Sequence, residues 1–282
     1  MSGAPGEIVW LDGSFLPAEA ARISPFDRGF QFGDGVFETM RSEKGRVLYL
    51  RKHLERLTGA LAAIRIHSEC LPDWETILDE LLRKNALAEQ TARIKIVVTR
   101  GIAPALGLPE QRKPTVLASA RRFDPPPPEA YEKGWDLLVF RDGFSPPLAG
   151  FKTLNYLYHL SARQAAVDGG CSEAVILDRS GRVSETSAGS LLARTGGKWW
   201  TPACSDQLPG ITLGEVGKIL EREGSPVARV PAMPEELARA DTVWVLNSLI
   251  GIMPAARIEG CVLRDSASIE AGRMRSILFG RG

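Results

Sequence analysis

Four consecutive prolines divide the chain near its middle, at positions 125–128. Proline has no backbone N–H and a fixed φ, so such a run cannot join the interior of a sheet and favours a stiff, extended connector. The sequence therefore predicts two domains. We expect a small α/β domain over residues 1–120, a proline-rich linker over 121–134 and a large domain over 135–282.

The composition argues against several classes of protein. With 282 residues, 44% of them hydrophobic and 24% charged, the chain is typical of globular proteins and is long enough for two modest domains. A formal net charge of +1 argues against a nucleic-acid surface. The apolar segments are far shorter than a membrane span, and the first residues lack a signal-peptide pattern. We expect a cytoplasmic protein that binds neither nucleic acid nor membrane.

Cysteine and histidine spacing gives no indication of a metal site. The four cysteines are Cys70, Cys171, Cys204 and Cys261. They show no CxxC spacing, which argues against a zinc site and against a disulfide framework. The three histidines stand at no convincing metal-ligand offset from one another. We expect reduced thiols and no metal.

Hydrophobic periodicity predicts a sheet with covering helices in the first half of the chain. An Asp-Gly turn predicts a hairpin, and the strands are expected at 8–11, 14–16, 36–41, 47–50, 93–100 and 115–119, with helices at 51–64 and 74–88. Arg56 falls outside the apolar stripe of the first of these helices. Lys95 and Arg100 belong to an alternating strand whose polar residues are expected to face a cleft.

The second half is predicted to combine further strands with helices at its two candidate binding segments. Strands are expected at 135–140, 174–178, 182–185, 190–193, 198–201 and 242–246, with a helix at 213–223. Thr212 is the expected N-cap of that helix. A helix start after a glycine turn suits a phosphate, although a simple capped helix is the commoner explanation.

Lys152 is the strongest candidate for a reactive residue. Apolar residues recur at about a helix period from Leu154 to Ala166, so Lys152 is predicted to lie at or just before a helix N-terminus. The positive end of the helix dipole and the apolar neighbours both favour the neutral amine, which a lysine that forms a Schiff base requires. An ordinary surface lysine at a helix start is the alternative that this stretch alone leaves open.

The candidate residues together match the needs of pyridoxal 5'-phosphate. The lysine binds the cofactor aldehyde, a carboxylate keeps the pyridine nitrogen protonated, and hydrogen-bond donors hold the phosphate. Glu185 follows as the carboxylate at a strand end, and the donors are Gly210–Thr212 and Asn247-Ser248. Taken singly, Glu185 has a simpler explanation as a solvated turn residue, and Ser248 as a strand terminus.

Six segments of the chain resemble, in the same order, the motifs of one family. They are DRGFQFGDGVFE at 27–38, HLERL at 53–57, KTLNY at 152–156, VSE at 183–185, PGIT at 209–212 and NS at 247–248. The family is the class IV aminotransferases, which have pyridoxal phosphate fold type IV. It contains branched-chain aminotransferases, D-amino-acid aminotransferases and 4-amino-4-deoxychorismate lyases. The resemblance covers about residues 8 to 260 and implies a two-domain α+β fold of the D-amino-acid aminotransferase type.

The resemblance implies a role for each matched residue. Lys152 would bind the cofactor and move the proton, and Glu185 would face the pyridine nitrogen. The implied phosphate ligands are Arg56, Ile211, Thr212 and Ser248. The family is homodimeric with active sites near the subunit interface. We therefore expect a homodimer that acts on a small molecule with amino and carboxylate groups.

The resemblance also favours one reaction over another. D-amino-acid enzymes usually carry an Arg-x-His pair where this chain has Ala105 and Gly107, and a tyrosine where it has Phe37. Branched-chain enzymes typically show Gly-Thr and then Ala-Ala-Glu where this chain has residues 247–251. The Leu-Ala-Gly-Phe-Lys-Thr-Leu-Asn segment and the Leu-Asn-Ser-Leu segment look most like aminodeoxychorismate lyases.

The predicted reaction is therefore the release of pyruvate from 4-amino-4-deoxychorismate to give 4-aminobenzoate. An aminotransferase that moves an amino group between a branched-chain or D-amino acid and a 2-oxo acid is the alternative. The expected substrate-binding residues are Phe37, Arg41, Lys95 and Arg100, with the three cations as candidates for carboxylates. A catalytically silent binding protein is a third hypothesis, against which the intact Lys152 and Glu185 argue.

Overall fold

The computed structural model describes residues 6–103, 106–142, 148–205, 207–265 and 267–280. The chain forms two compact units, of which the first contains Met1–Asp124 and Phe151–Asn155 and the second contains Pro125–Gly150 and Tyr156–Gly282. Ala105, one of the positions compared with the D-amino-acid enzymes, lies outside the described residues.

The first unit is built on a six-stranded antiparallel sheet in the order β2-β1-β6-β5-β3-β4. Its strands are β1 (Ile8–Leu11), β2 (Ser14–Pro17), β3 (Gly35–Glu43), β4 (Arg46–Val47), β5 (Thr91–Thr99) and β6 (Thr115–Arg122). Its helices are α1 (Arg28–Phe32), α2 (Leu50–Ala63) and α3 (Trp74–Lys84). The predicted strand at 47–50 is wrong beyond Val47, because Leu50 already begins α2.

The two faces of the central strands have different environments. Alternation buries Ile94, Ile96 and Val98 of β5 in one core with apolar residues of α2 and α3, as the periodicity predicted. The opposite face of the sheet carries the intervening residues of the same strands. Phe37 stands opposite Val97, and Thr39 stands opposite Lys95.

The second unit contains a nine-stranded sheet, in which eight strands follow the order β12-β11-β10-β13-β14-β7-β8-β9 and β15 pairs with β14. The strands are β7 (Trp135–Phe140), β8 (Glu173–Leu177), β9 (Val183–Thr186), β10 (Ser190–Thr195), β11 (Lys198–Pro202), β12 (Ala228–Val230), β13 (Thr242–Asn247), β14 (Gly251–Ile258) and β15 (Cys261–Val262). The helices are α4 (Pro128–Lys133), α5 (Leu157–Asp168), α6 (Ile211–Arg222), α7 (Pro234–Ala238) and α8 (Ser268–Leu278).

The structure divides the chain at different positions from those predicted from the sequence. The predicted linker at 121–134 contains regular structure, because β6 continues to Arg122 and α4 starts at Pro128, a helix position that suits proline. Lys152, which was predicted to belong to the large domain, lies in a segment that groups with the first unit.

Hydrogen bonds explain why the Lys152 segment groups with the first unit. The Phe37 N–H donates to the Lys152 carbonyl at 2.9 Å, and the Leu154 N–H donates to the Gly35 carbonyl at 3.0 Å. Val36 and Thr153 form an antiparallel bridge. A Cβ at Gly35 would lie 2.5 Å from the Val98 carbonyl oxygen and 2.9 Å from Leu154 Cδ1, so glycine permits this close approach.

The predicted position of Lys152 at a helix start is wrong. Helix α5 begins only at Leu157, and Tyr156 is its N-cap. The backbone pairing with β3 keeps the Lys152 segment out of the helix. The helix-dipole argument for a neutral Lys152 therefore does not apply, because the effect is confined to the first turn.

No helix in the described part of the chain is long and apolar enough to cross a membrane.

Candidate functional site

The predicted site residues are shared between the two units. The first unit contains Lys152, Arg56, Phe37, Arg41, Lys95 and Arg100, and the second contains Glu185, Ile211, Thr212 and Ser248. The geometry of each group is described within its own unit.

Lys152 and Lys95 contact the same aromatic ring. Each Nζ lies 4.6 Å from the centroid of the Phe37 ring, and Phe37 itself is buried. Twice this distance limits the separation of the two nitrogens to about 9 Å. The structure thus brings three of the predicted residues together on the face of the sheet opposite the helices.

Lys95 is a partly desolvated cation with a second cation nearby. Partial burial and the neighbouring Arg93 lower the pKa of the Lys95 ammonium, although more than a third of the residue is exposed.

The geometry does not favour Arg41 and Arg100 as substrate ligands. Arg41 is buried, and its Nε donates to Glu43 at 2.7 Å. Arg100 is fully buried as well, donating to Asp34 at 2.8 and 3.0 Å and to the Ile64 carbonyl at 2.6 Å. Lys95, by contrast, pairs with no carboxylate among the described residues.

Arg56 reaches from α2 to the sheet. It donates to both carboxylate oxygens of Glu38, and His53 contacts the same carboxylate. Sequence analysis missed Glu38 and His53, although both stand in the recognised motifs. The available signal was a charged residue at a core-facing position of a strand, which requires a partner when it is buried.

In the second unit, Glu185 lies near the end of β9 and is buried. One carboxylate oxygen accepts a hydrogen bond from the Leu208 N–H at 3.2 Å, and the other lies 3.5 Å from His159 Nε2. The imidazole of His159 stacks on Tyr156, with 4.6 Å between ring centroids and 6° between planes. Neither aromatic neighbour was predicted, although their spacing of three places them on one side of a helix start.

Tyr156 is held in its protonated form. Burial raises the pKa of its hydroxyl, and the negative charges of Glu185 and Glu173 act in the same direction. The hydroxyl donates to the Ser187 carbonyl at 2.8 Å. This contact fixes the ring against which His159 stacks.

Two features of the second unit fit a bound polar group. Among the described residues, His159 Nδ1 is buried and has no hydrogen-bond partner, and it belongs to the ring that approaches Glu185. The first turn of α6, with Ile211 and Thr212, has the N-cap Gly210 and no side-chain cap. Uncapped backbone N–H groups at a helix start suit a phosphate, so the donor set matches that of a phosphorylated cofactor.

The prediction that Thr212 is the N-cap of α6 is wrong, because Thr212 lies inside the helix and is buried. A Cβ at Gly210 would lie 2.2 Å from Ser190 Oγ, which explains why the cap position is a glycine. Ser248 follows β13, in a turn where Asn247 Oδ1 accepts from the Leu249 and Ile250 N–H groups at 3.0 Å.

No group of three or more His, Cys, Asp or Glu side chains in the described ranges is arranged to hold a metal ion. Among the described residues, Cys171, Cys204 and Cys261 form no disulfide with one another.

Comparison with known proteins identifies the family. The model of amino-transferase class IV matches residues 35–258. The chain is 32% identical to a putative branched-chain-amino-acid aminotransferase of Methanocaldococcus jannaschii, over 91% of this chain and 90% of that protein. It is 33% identical to an aminodeoxychorismate lyase of Vibrio harveyi, over 89% and 91%. It is 30% identical to a D-alanine aminotransferase of Staphylococcus haemolyticus, over 89% of each.

The fold is also that of solved structures. The branched-chain aminotransferase of Thermoproteus uzoniensis with norvaline superposes with a TM-score of 0.83 at 27% identity, over 97% of this chain and 95% of that one. A branched-chain amino acid aminotransferase with pyridoxamine 5'-phosphate superposes with a TM-score of 0.85 at 25% identity, over 99% and 95%.

The family, the fold and the cofactor follow from these matches. The chain belongs to the class IV aminotransferase family and has its two-domain fold. It is a pyridoxal 5'-phosphate enzyme, a transaminase or a lyase. The predictions of family, fold and cofactor are confirmed.

The buried cluster around Asp34 predicts a pH dependence of stability. Burial opposes ionisation of Asp34, but hydrogen bonds from Arg100 and Arg28 hold the pKa of its carboxyl below the ordinary value of 3.8. Because the folded pKa is the lower one, this stabilisation is complete above the unfolded value and is lost as the pH falls through the folded one. We expect Asp34→Asn to lower the melting temperature at neutral pH and to reduce the further loss on acidification below about pH 4.

Thermal melting of the apoprotein across this acidic range measures the effect. Asp79→Asn is the matched control, because Asp79 forms an exposed pair with Arg83 within one helix. Equal acid sensitivity of Asp34→Asn and the wild type would contradict the role given to this cluster.

Proposed function

We propose that the protein is a 4-amino-4-deoxychorismate lyase that releases pyruvate and gives 4-aminobenzoate. The observation that carries the proposal is the grouping of Lys152 and Lys95 on the Phe37 ring. This grouping offers a reactive amine on Lys152 and a cation on Lys95 that can bind a substrate carboxylate. Lys95 has no carboxylate partner among the described residues. Phe37 also replaces the tyrosine expected of D-amino-acid enzymes.

An aminotransferase is the second candidate. It is favoured by the similarity to the branched-chain enzyme of M. jannaschii, which at 32% identity over 91% of this chain is as strong as the similarity to the lyase. Both candidates require the same cofactor and the same proton transfer at Lys152.

The proposed roles follow from the chemistry of each side chain. Pyridoxal phosphate, when bound, supplies an aldehyde for a Schiff base and a ring that accepts electrons. Lys152 binds the aldehyde and later carries a proton to and from the substrate. Glu185 keeps a proton on the pyridine nitrogen, and Lys95 orients the substrate through its carboxylate. The phosphate ligands are Arg56, Ser248 and the first turn of α6 at Ile211 and Thr212.

A homodimer in the cytoplasm belongs to the same proposal. Several large apolar side chains of the first unit are exposed, namely Ile23, Phe26, Phe30 and Phe32, of which Phe30 reaches 77% exposure. Such an exposed apolar group is typical of a protein interface. Its occupant is taken to be a second copy of this chain.

A product assay separates the two candidate reactions. The holoenzyme is incubated with 4-amino-4-deoxychorismate, and separately with L- and D-amino acids plus 2-oxoglutarate. The lyase proposal predicts equal amounts of 4-aminobenzoate and pyruvate in the first reaction. Glutamate formation in the second, with no 4-aminobenzoate in the first, would establish the aminotransferase instead.

Lys152 is predicted to be the residue that carries the cofactor. Borohydride reduction of the holoenzyme should fix the cofactor on this lysine, because it holds the position of the Schiff-base lysine in the matched family motif and reduction makes a Schiff base permanent. Peptide mapping by mass spectrometry locates the label. Lys95 is the internal control, and a label there or on Lys198 would overturn the assignment.

Glu185→Gln is predicted to keep the cofactor but slow turnover severely. Glutamine preserves the shape and removes the charge that holds the proton on the pyridine nitrogen. If this stabilisation is worth about 3 to 4 kcal/mol, the rate falls by about 10² to 10³. The loss falls on proton abstraction, so a substrate deuterated at the carbon that carries its amino group should show a larger isotope effect in the variant than in the wild type.

Cofactor occupancy is checked by the visible absorbance band of the variant. Near-normal turnover at full occupancy would show that Glu185 does not face the ring nitrogen.

A further inference from the structure

Glu38 is a carboxylate in an apolar core. Strand β3 places it on the face that packs against the helices, opposite Ile96 and between the fully buried Val36 and Met40. Glu38 itself is 1% exposed. An ionised carboxylate in such a place requires charged or hydrogen-bonding partners.

Two side chains of α2 supply these partners. Arg56 Nε donates to Oε1 of Glu38 and Nη2 donates to Oε2, both at 2.7 Å. His53 Nδ1 lies 2.7 Å from the same Oε2, and since a carboxylate accepts, this nitrogen carries the hydrogen. Burial opposes ionisation of Glu38, but Arg56 and His53 hold the pKa of its carboxyl below its ordinary value.

This pairing fixes the guanidinium plane of Arg56. A two-point contact determines both the position and the rotation of the group, which a single contact does not. The side chain is held against the sheet and is largely buried, rather than extended from the helix surface. The orientation of every remaining donor of Arg56 therefore depends on Glu38.

The compensation of charge also indicates that the geometry of Arg56 matters more than its net charge. Glu38 compensates the charge of Arg56, so the contribution of Arg56 to anion binding comes from directed N–H groups more than from net charge. Lysine cannot reproduce such a planar fork. The geometry accounts for an arginine at position 56 better than a simple need for a positive charge does.

We propose that Glu38, supported by His53, is a positioning residue that holds Arg56 in the orientation in which it receives the phosphate of the cofactor. The inference rests on the proposed role of Arg56 as a phosphate ligand. It adds the requirement that the affinity of Arg56 for phosphate is set by a buried carboxylate on β3.

The test compares two forms of the cofactor. Apoprotein is titrated with pyridoxal 5'-phosphate and with pyridoxal, which lacks the phosphate, and binding is followed by absorbance. Glu38→Gln should lower the affinity for pyridoxal phosphate by about 10- to 100-fold, which is the range of one charge-assisted contact. It should change the affinity for pyridoxal by less than about 2-fold. Glu43→Gln is the matched control, since Glu43 pairs with Arg41 on the same strand, and it should change neither affinity.

A double-mutant cycle shows whether Glu38 acts through Arg56. In the Arg56→Ala background, Glu38→Gln should cause little further loss of pyridoxal phosphate affinity. Additive losses would show that Glu38 acts independently, and an equal loss for pyridoxal would show a structural role only. Either result overturns the proposal.

A second variant avoids the burial of an unpaired charge, should Glu38→Gln fail to fold. Arg56→Lys leaves a cation for Glu38 but removes the two-point contact, and it should lose as much phosphate selectivity as Arg56→Ala. Retained selectivity would overturn the proposal. A wild type that binds pyridoxal phosphate no more tightly than pyridoxal would instead refute the phosphate site itself, whatever the role of Glu38.

Discussion

The position of Lys152 depends on an open strand edge. Strand β4 covers β3 only at Ser42 and Glu43, so the backbone groups at the start of β3 are left to another partner. Phe151–Asn155 takes this place through the hydrogen bonds of Lys152 and Leu154 with Phe37 and Gly35. Because unpaired edges are costly when buried and prone to wrong pairing when exposed, this contact both satisfies the strand and fixes the lysine. Lys152 is therefore placed by a sheet and not by a helix.

The same contact explains what the sequence could and could not reveal. Periodicity located the central strands and α2 within a few residues, because the alternation of β5 and the stripe of α2 are local properties of the chain. The apolar residues after Lys152 predicted a helix too early, since the pairing with β3 that keeps this segment extended comes from a strand more than a hundred residues earlier. The role of Lys152 thus stays a prediction from the family motif, because the structure removes the local reason given for it.

The partners of charged side chains are also only partly predictable from the local sequence. Sequence pattern predicted that Lys95 and Arg100 face a cleft, and Arg41 was added to them as a candidate for substrate carboxylates. Their partners differ, because Arg100 meets Asp34 from a distant segment, whereas Arg41 meets Glu43 two residues away. The second pair was visible in the sequence and the first was not. Burial determines which arginines are structural, because a fully buried guanidinium requires a carboxylate partner and then stabilises the fold.

These ion pairs leave a simple electrostatic arrangement in the first unit. Each of three carboxylates, on Asp34, Glu38 and Glu43, lies against an arginine. The Phe37 ring is contacted by two lysines, and Arg93 is a further cation near Lys95. Lysine differs from arginine because its charge responds to its surroundings, whereas the guanidinium stays charged under all conditions. Arginine is thus suited to fixing geometry, as proposed at Glu38, and lysine to the proton transfer proposed for Lys152.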